Sequence, residues 1–246
     1  MGRVDLHLHL LPGIDDGSKS LDDTLAMARA LGALGYTKLA PSPHARSEYA
    51  SVDAALCAQK LDEVRAAVQA AGLQLELFSN AENFFLEDAL FPSIAAGTAR
   101  TLGQGKVLLI EAPYQGPLPM LADLIFRMKL KGITPLIAHP ERCMEFEKKG
   151  RAAEVVRAGA LLQLDMGALI GRYGKTAERL GRQFLDEGLY AVAASDLHSP
   201  VNAEAWVGDS LRALEKAAGA KGLEALTVTN PDALLQGIVA NKGLTP

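Results

Sequence analysis

Two cysteines in 246 residues, Cys57 and Cys143, are too few for a disulfide framework. Aromatic residues make up only 5% of the chain, so no stacking platform for bases or sugars is expected. Long apolar runs are also lacking: the first, near the N-terminus, is interrupted by Asp5, His7 and His9, and no later one could cross a bilayer. There is no dense Lys/Arg block, and the formal charge is -4, which argues against nucleic acid or an anionic membrane surface as a partner. Nothing reads as a secretion signal, so the expected location is the cytoplasm. Other chemistries lack their signatures. Neither cysteine is followed six residues later by arginine, as a cysteine-based phosphatase requires, and no Gly-x-Ser-x-Gly elbow occurs. Gly103-Gln104-Gly105 lacks the third glycine of a dinucleotide-binding turn.

What is present is an ordinary globular composition, 49% hydrophobic and 22% charged, at a length that suits one domain over residues 1–246. Short apolar segments alternate with helical ones, the pattern of parallel strands joined by crossover helices, in about seven units. The strands read as Val4–Leu10, Thr37–Pro41, Leu73–Phe78, Val107–Ile110, Thr134–Ala138, Ala160–Leu164 and Leu189–Ala194. Their unbroken apolar character fits strands buried on both faces. Helices are expected over Leu21–Leu34 with Ser20 as its cap, Val52–Ala71, Pro119–Lys131, Ala152–Ala158, Ala177–Glu187 and Ala203–Ala217. Asn230 is read as the cap of a last short helix with Pro231 in its first turn.

The informative feature is where the polar residues fall. All five histidines (His7, His9, His44, His139 and His198), together with Glu82, Glu111 and Asp196, sit at or just past the carboxyl end of an expected strand. In a parallel barrel those ends converge on one face, where barrel enzymes carry their active sites. His7 and His9 are two apart on an extended segment, so both rings project from one side. Asp5 shares that face and is expected to accept an imidazole N–H. Asp15 and Asp16 follow in a loop that Gly17 allows to turn tightly. Any one histidine is more simply a structural residue. Eight imidazole and carboxylate residues at one face are costly unless paired or metal-bound, and no matching set of Lys or Arg sits at those ends. Imidazole and carboxylate without thiolate suits Mn, Fe, Zn or Mg. Arg142, three residues past His139, is placed either to grip a bound anion through two parallel hydrogen bonds or to close a loop salt bridge with Glu141 or Glu145.

In this order, Asp5-Leu6-His7-Leu8-His9, Asp15-Asp16-Gly17, Ser42-Pro43-His44, Ala81-Glu82, Leu109-Ile110-Glu111, Ile137-Ala138-His139-Pro140-Glu141-Arg142 and Ala194-Ser195-Asp196-Leu197-His198 resemble the PHP superfamily (polymerase and histidinol phosphatase). They are most similar to its bacterial protein-tyrosine-phosphatase branch, linked to capsule and exopolysaccharide control. The resemblance covers nearly the whole chain. It implies an α/β fold, a distorted, TIM-like barrel of seven α/β units, and three divalent metal ions, manganese first among those named above. It also implies that His7, His9, Glu82 and Asp196 bind one ion, Glu82, Glu111 and His139 a second, and Asp16, His44 and His198 the third. Arg142 matches a phosphate-engaging arginine; a proton for the leaving group, if one is needed, is left open between His44, His198 and a metal-bound water. Where relatives carry an Arg-Pro-Pro segment after the last histidine, this chain has Ser199-Pro200-Val201-Asn202-Ala203, and Ala45 replaces a polar residue for which Arg46 could compensate as a substrate-binding group. The implied substrate is a phosphotyrosine protein, such as a membrane-associated bacterial tyrosine kinase or another exopolysaccharide-pathway protein. The alternatives are a small-molecule phosphatase of the histidinol-phosphate kind and a metal-binding regulatory module without turnover.

Overall fold

The computed structural model describes residues 2–239. Nine strand segments alternate with eight α-helices: β1 (Arg3–Asp5), α1 (Leu21–Ala33), β2 (Tyr36–Leu39), β3 (His44–Ala45), α2 (Ala54–Ala70), β4 (Glu76–Leu77), β5 (Glu82–Phe84), α3 (Leu90–Ala96), β6 (Val107–Glu111), α4 (Leu121–Leu130), β7 (Thr134–Ala138), α5 (Arg151–Arg157), β8 (Leu161–Asp165), α6 (Gly174–Asp186), β9 (Tyr190–Ala194), α7 (Ala203–Glu224) and α8 (Asn230–Leu235). All strand pairings are parallel, in one sheet ordered β1-β2-β4 and another ordered β3-β5-β6-β7-β8-β9.

Nine segments serve seven units because the second and third strands each break. The chain leaves β2, passes Pro41-Ser42-Pro43 and resumes as β3; it leaves β4, passes Ser79-Asn80-Ala81 and resumes as β5. Prolines lack the N–H that a ladder needs, which accounts for the first break. The two sheets meet where the first and last strands end. Leu8 and Leu197 form a parallel bridge, with Asp196 N–H donating to His7 O at 2.9 Å, His9 N–H to Leu197 O at 2.9 Å, and Ser42 N–H to Leu8 O at 2.9 Å. The expected first strand, Val4–Leu10, is therefore regular only over Arg3–Asp5, and its remainder is pinned by these isolated bonds.

Strand periodicity sorts the core into two clusters. In β6, Leu108 and Ile110 pack with the helices, whereas Val107 and Leu109 join a second cluster with Val4, Leu6, Leu136 and Ala138, closed below by Leu102 and Leu234. Glu111 continues the Val107-Leu109 face, and Gln163 and Asp165 continue that of Leu161, so each is delivered to the upper end of the interior. Burying each large aliphatic here contributes about 1.5–3 kcal/mol.

Helix ends agree with sequence expectation to within a few residues, and the Ser20 hydroxyl does accept the Asp23 N–H at 3.2 Å. α3 was not among the expected helices, and two expectations fail. α7 runs past Ala217 to Glu224 through a kink at Gly219 (φ 73°) and then winds without a gap into α8. Asn230 is thus a helical residue, and its amide donates to Ala191 O at 2.9 Å, tying the C-terminal helix to β9 rather than capping it. No helix among the described residues is long and apolar enough to cross a membrane.

Candidate metal centre

Every sequence-selected donor arrives at one mouth. His7 and His9 follow β1, His44 opens β3, Glu82 opens β5, Glu111 ends β6, His139 follows β7, and Asp196 and His198 follow β9. Two of them take rare backbone conformations. His139 (φ 33°) and Asp196 (φ 52°) are left-handed, which turns the chain at the strand end and costs of order 1–3 kcal/mol apiece. Four overlapping groups have donor atoms within 4.8 Å of one another: His9, Asp16, His44 and His198; His7, Glu82 and His139; His7, His9 and Asp196; and His44, Glu82 and Glu111. Together they contain all nine residues that the sequence proposed as ligands.

Glu82 is the hub. Its Oε1 lies 3.0 Å from His139 Nε2 and 3.4 Å from His7 Nε2, and its Oε2 lies 2.7 Å from His44 Nδ1 and 3.6 Å from His9 Nε2. Asp196 Oδ1 is 3.1 Å from His7 Nε2 and 3.5 Å from His9 Nε2, and Asp16 Oδ1 is 3.3 Å from His44 Nε2 and 3.6 Å from His198 Nε2. Several of these close neighbours are not aligned as hydrogen bonds: Glu82 Oε2, His44 Nδ1, Asp196 Oδ1 and Glu111 Oε1 are fully buried without a satisfying partner. Buried polar atoms are seldom left so. Lone pairs that approach one another without alignment are directed at shared points between them, which is the arrangement of ligands around cations and fits divalent ions with nitrogen and oxygen donors.

The field is negative. Six carboxylates (Asp15, Asp16, Glu82, Glu111, Asp165 and Asp196) face two guanidinium groups, those of Arg46 and Arg142. Burial alone would lower the pKa of His7, but Asp196 and Glu82 outweigh it and raise it to about 9. His44 behaves alike: burial opposes protonation, yet Asp16 and Glu82 lift it to about 10. Glu82 is held well below the usual carboxylate range by His7, His139 and His44 against the cost of its burial. Burial, with Arg142 at His139 and His9 at His198, lowers the pKa of those two imidazoles, but the field that draws protons onto His7 and His44 draws divalent cations by the same attraction.

The supporting hydrogen bonds differ from expectation. Asp5 touches no imidazole. Its carboxylate accepts the backbone N–H of His7 at 3.1 Å and of Ser195 at 3.3 Å, fastening the first strand to the last, and burial raises its pKa to about 6. The imidazoles are instead oriented by two residues that the sequence reading had not assigned this role. His7 Nδ1 lies 2.7 Å from Gln163 Oε1, and His9 Nδ1 lies 2.9 Å from Asp15 Oδ2, which fixes the Nδ1–H tautomer and turns each Nε2 inward. Leu162-Gln163-Leu164 is also among the segments similar to the PHP superfamily, and Gln163 stands out in β8 as an isolated polar residue between two leucines. Replacing it by leucine (Gln163→Leu) is expected to weaken metal binding about 10- to 100-fold, measurable by titrating the metal-depleted protein; unchanged affinity would remove Gln163 from the site. Gly17 has a different reason from the tight turn expected. A Cβ there would stand 2.3 Å from His9 O, so the loop can lie against His9 only with glycine.

Arg142 pairs with neither Glu141 nor Glu145. Its Nη1 donates to Asp165 at 3.0 Å and to Asp196 at 2.5 Å, its Nη2 to the Tyr114 hydroxyl at 2.8 Å. Arg46 lies against the Glu111 carboxylate and 4.1 Å above the Phe84 ring. Both arginines that the sequence offered as substrate-binding groups thus stand at the strand ends, held there by carboxylates. Tyr49 stacks on His44, with ring centres 5.1 Å apart. A cavity of about 610 Å³ backs the two strand breaks between Pro41, Asn80 and α2, away from the donors, while a pocket of about 340 Å³ opens beside Arg142.

Parallel strands whose carboxyl ends gather imidazoles, carboxylates and an arginine define a barrel-like α/β protein with a candidate metal centre at its mouth. The chain belongs to the capsular polysaccharide synthesis family CpsB/CapC, whose model matches residues 3–236. It is 27% identical over 95% of its length to the tyrosine-protein phosphatase YwqE of Bacillus subtilis strain 168, covering 91% of that protein. It is 25% identical over 93% of its length to the tyrosine-protein phosphatase CpsB of Streptococcus pneumoniae, covering 96% of that one. Crystal structures of YwqE and CpsB, described as metal-dependent tyrosine phosphatases, supply a match with a TM-score of 0.87 at 27% identity, covering 96% of this chain and 95% of the other. A prolidase at 11% identity and a TM-score of 0.55 shares the fold alone.

Proposed function

We propose that the chain is a metal-dependent phosphoric monoester hydrolase acting on phosphotyrosine in proteins, as its relatives' names describe for them. The observation that carries this reading is the meeting of nine imidazole and carboxylate donors, several of them buried and unsatisfied, beside an arginine. His7, His9, Glu82 and Asp196 would hold one cation, Glu82, Glu111 and His139 a second, and Asp16, His44 and His198 a third, with manganese the proposed ion. We further place the protein in the cytoplasm, consistent with two buried free thiols, and read residues 1–246 as one domain.

When bound, the divalent cations supply a Lewis acid for the phosphoryl oxygens and a source of nucleophilic water near neutral pH. The chain's own groups do the rest. Gln163 and Asp15 keep His7 and His9 in the tautomer that presents Nε2. Arg142, anchored by Asp165 and the Tyr114 hydroxyl, binds the non-bridging oxygens and neutralises charge that develops on them. Arg46 adds a second positive group across the mouth, where the Ser199–Ala203 segment carries none. A phenolic leaving oxygen has a pKa of about 10 and needs little help from an acid. His198, whose side chain is 32% exposed and whose Nδ1 is bonded to Asp196 O, stands at the rim and His44 deeper in the site, so a proton for the leaving oxygen would come from either one only when it is not engaged with the third cation.

The test compares rates on a phosphotyrosine peptide and on histidinol phosphate, with metal analysis of the same sample. Preference for the peptide is expected. Preference for histidinol phosphate would reassign the substrate, and metal uptake without hydrolysis of either would make the chain a regulatory module.

A further inference from the structure

The pocket beside Arg142 has two aromatic walls. Tyr114, in the segment after β6, and Tyr173, just before α6, line it together with Glu141, Arg142, Glu147 and Thr176. The Arg142 guanidinium stands 4.1 Å from the centre of the Tyr173 ring and 4.9 Å from that of Tyr114. Tyr114 also stacks on His139, ring centres 5.5 Å apart at 29°, and so connects the pocket directly to a donor of the metal centre. Although its hydroxyl is fixed by Arg142, Tyr114 is 41% exposed. A large ring anchored at one end and open to solvent is not explained by core packing.

We infer that Tyr114 and Tyr173 form the slot that receives the aromatic ring of the leaving group, and so select aryl over non-aromatic phosphate esters. This rests on the phosphotyrosine reading above and adds its specificity determinants. A volume of about 340 Å³ is at the lower end of ligand pockets and suits one side chain. An ester whose phosphoryl group lies on Arg142 at the metal centre has its next atoms beside these rings. An aryl group there gains offset or edge contacts with both tyrosines that a serine ester, with no ring, cannot make.

The test uses the full, metal-loaded chain and the ratio of kcat/KM for phenyl phosphate to that for acetyl phosphate, a reactive but non-aromatic substrate. Tyr114→Leu and Tyr173→Leu are each expected to lower that ratio roughly two- to tenfold. Tyr114→Phe keeps the ratio near that of the unsubstituted chain even where loss of the hydroxyl lowers both rates, separating the ring's role from the anchoring of Arg142. A measurement needing no variant accompanies it: phenylphosphonate is expected to inhibit several-fold more tightly than methylphosphonate. Ratios unchanged in both leucine variants, or equal inhibition by the two phosphonates, would overturn the slot while leaving phosphatase activity intact. Absence of turnover on every ester would instead overturn the phosphatase reading and the slot with it.

Discussion

Glu82→Gln is expected to abolish most of the activity, by on the order of 10³-fold or more, and to lower the metal content of the purified protein. Glu82 is nearly isosteric with its replacement, so the effect isolates charge and lone pairs from packing. One carboxylate approaches four of the five imidazoles: Oε1 faces His7 and His139, Oε2 faces His9 and His44. Among the described residues no other carboxylate reaches so many: Asp16 and Asp196 each approach three. Glutamine keeps one acceptor oxygen but replaces the other with an N–H₂ that points a positive edge at donors already competing for a cation. Metal per chain and turnover should be measured on the same preparation, with circular dichroism to verify the fold. A variant with full metal content and full rate would refute the hub role.

Stripping the protein with a chelator is expected to eliminate turnover and to lower Tm, and adding manganese to restore both. The physical cause is the imbalance of charge at the mouth, where among the described residues six carboxylates face the two guanidinium groups of Arg46 and Arg142. A cation that binds the folded chain at a hundredfold excess over its Kd stabilises it by about 2.7 kcal/mol. For a chain of this length each kcal/mol moves Tm by about 2–4 °C, so a shift of about 5–10 °C is expected for one ion and more if three bind. Calorimetry before and after chelation measures it. Identical melting curves together with undiminished turnover would rule out a metal centre in these residues.

Much of the architecture was legible because its signals are local. The apolar runs at Val107–Ile110 and Thr134–Ala138 coincide with β6 and β7 to within a residue, since strands buried on both faces need continuous hydrophobicity. The breaks after β2 and β4 were not legible. β3 is two residues long and β5 three, too short for any periodicity, and they exist as strands because each pairs with a neighbour: His44 beside Glu82, Asn83 beside Ile110. Asp5 was misassigned for a related reason. Its position relative to His7 is set by sequence, but the Ser195 N–H that claims its carboxylate comes from the other end of the chain.

The sequence by itself determined which atoms are offered: five imidazoles and a set of carboxylates placed at strand ends, chemistry that composition and spacing carry without a fold. The tertiary structure alone decided how they are shared. Parallel register put Glu82 among four histidines, left-handed turns at His139 and Asp196 aimed those side chains inward, and the interior face of β8 delivered Gln163 to His7. Contacts of that kind join segments distant in the chain, 57 residues apart for Glu82 and His139 and 156 for His7 and Gln163, and no local preference encodes such a meeting.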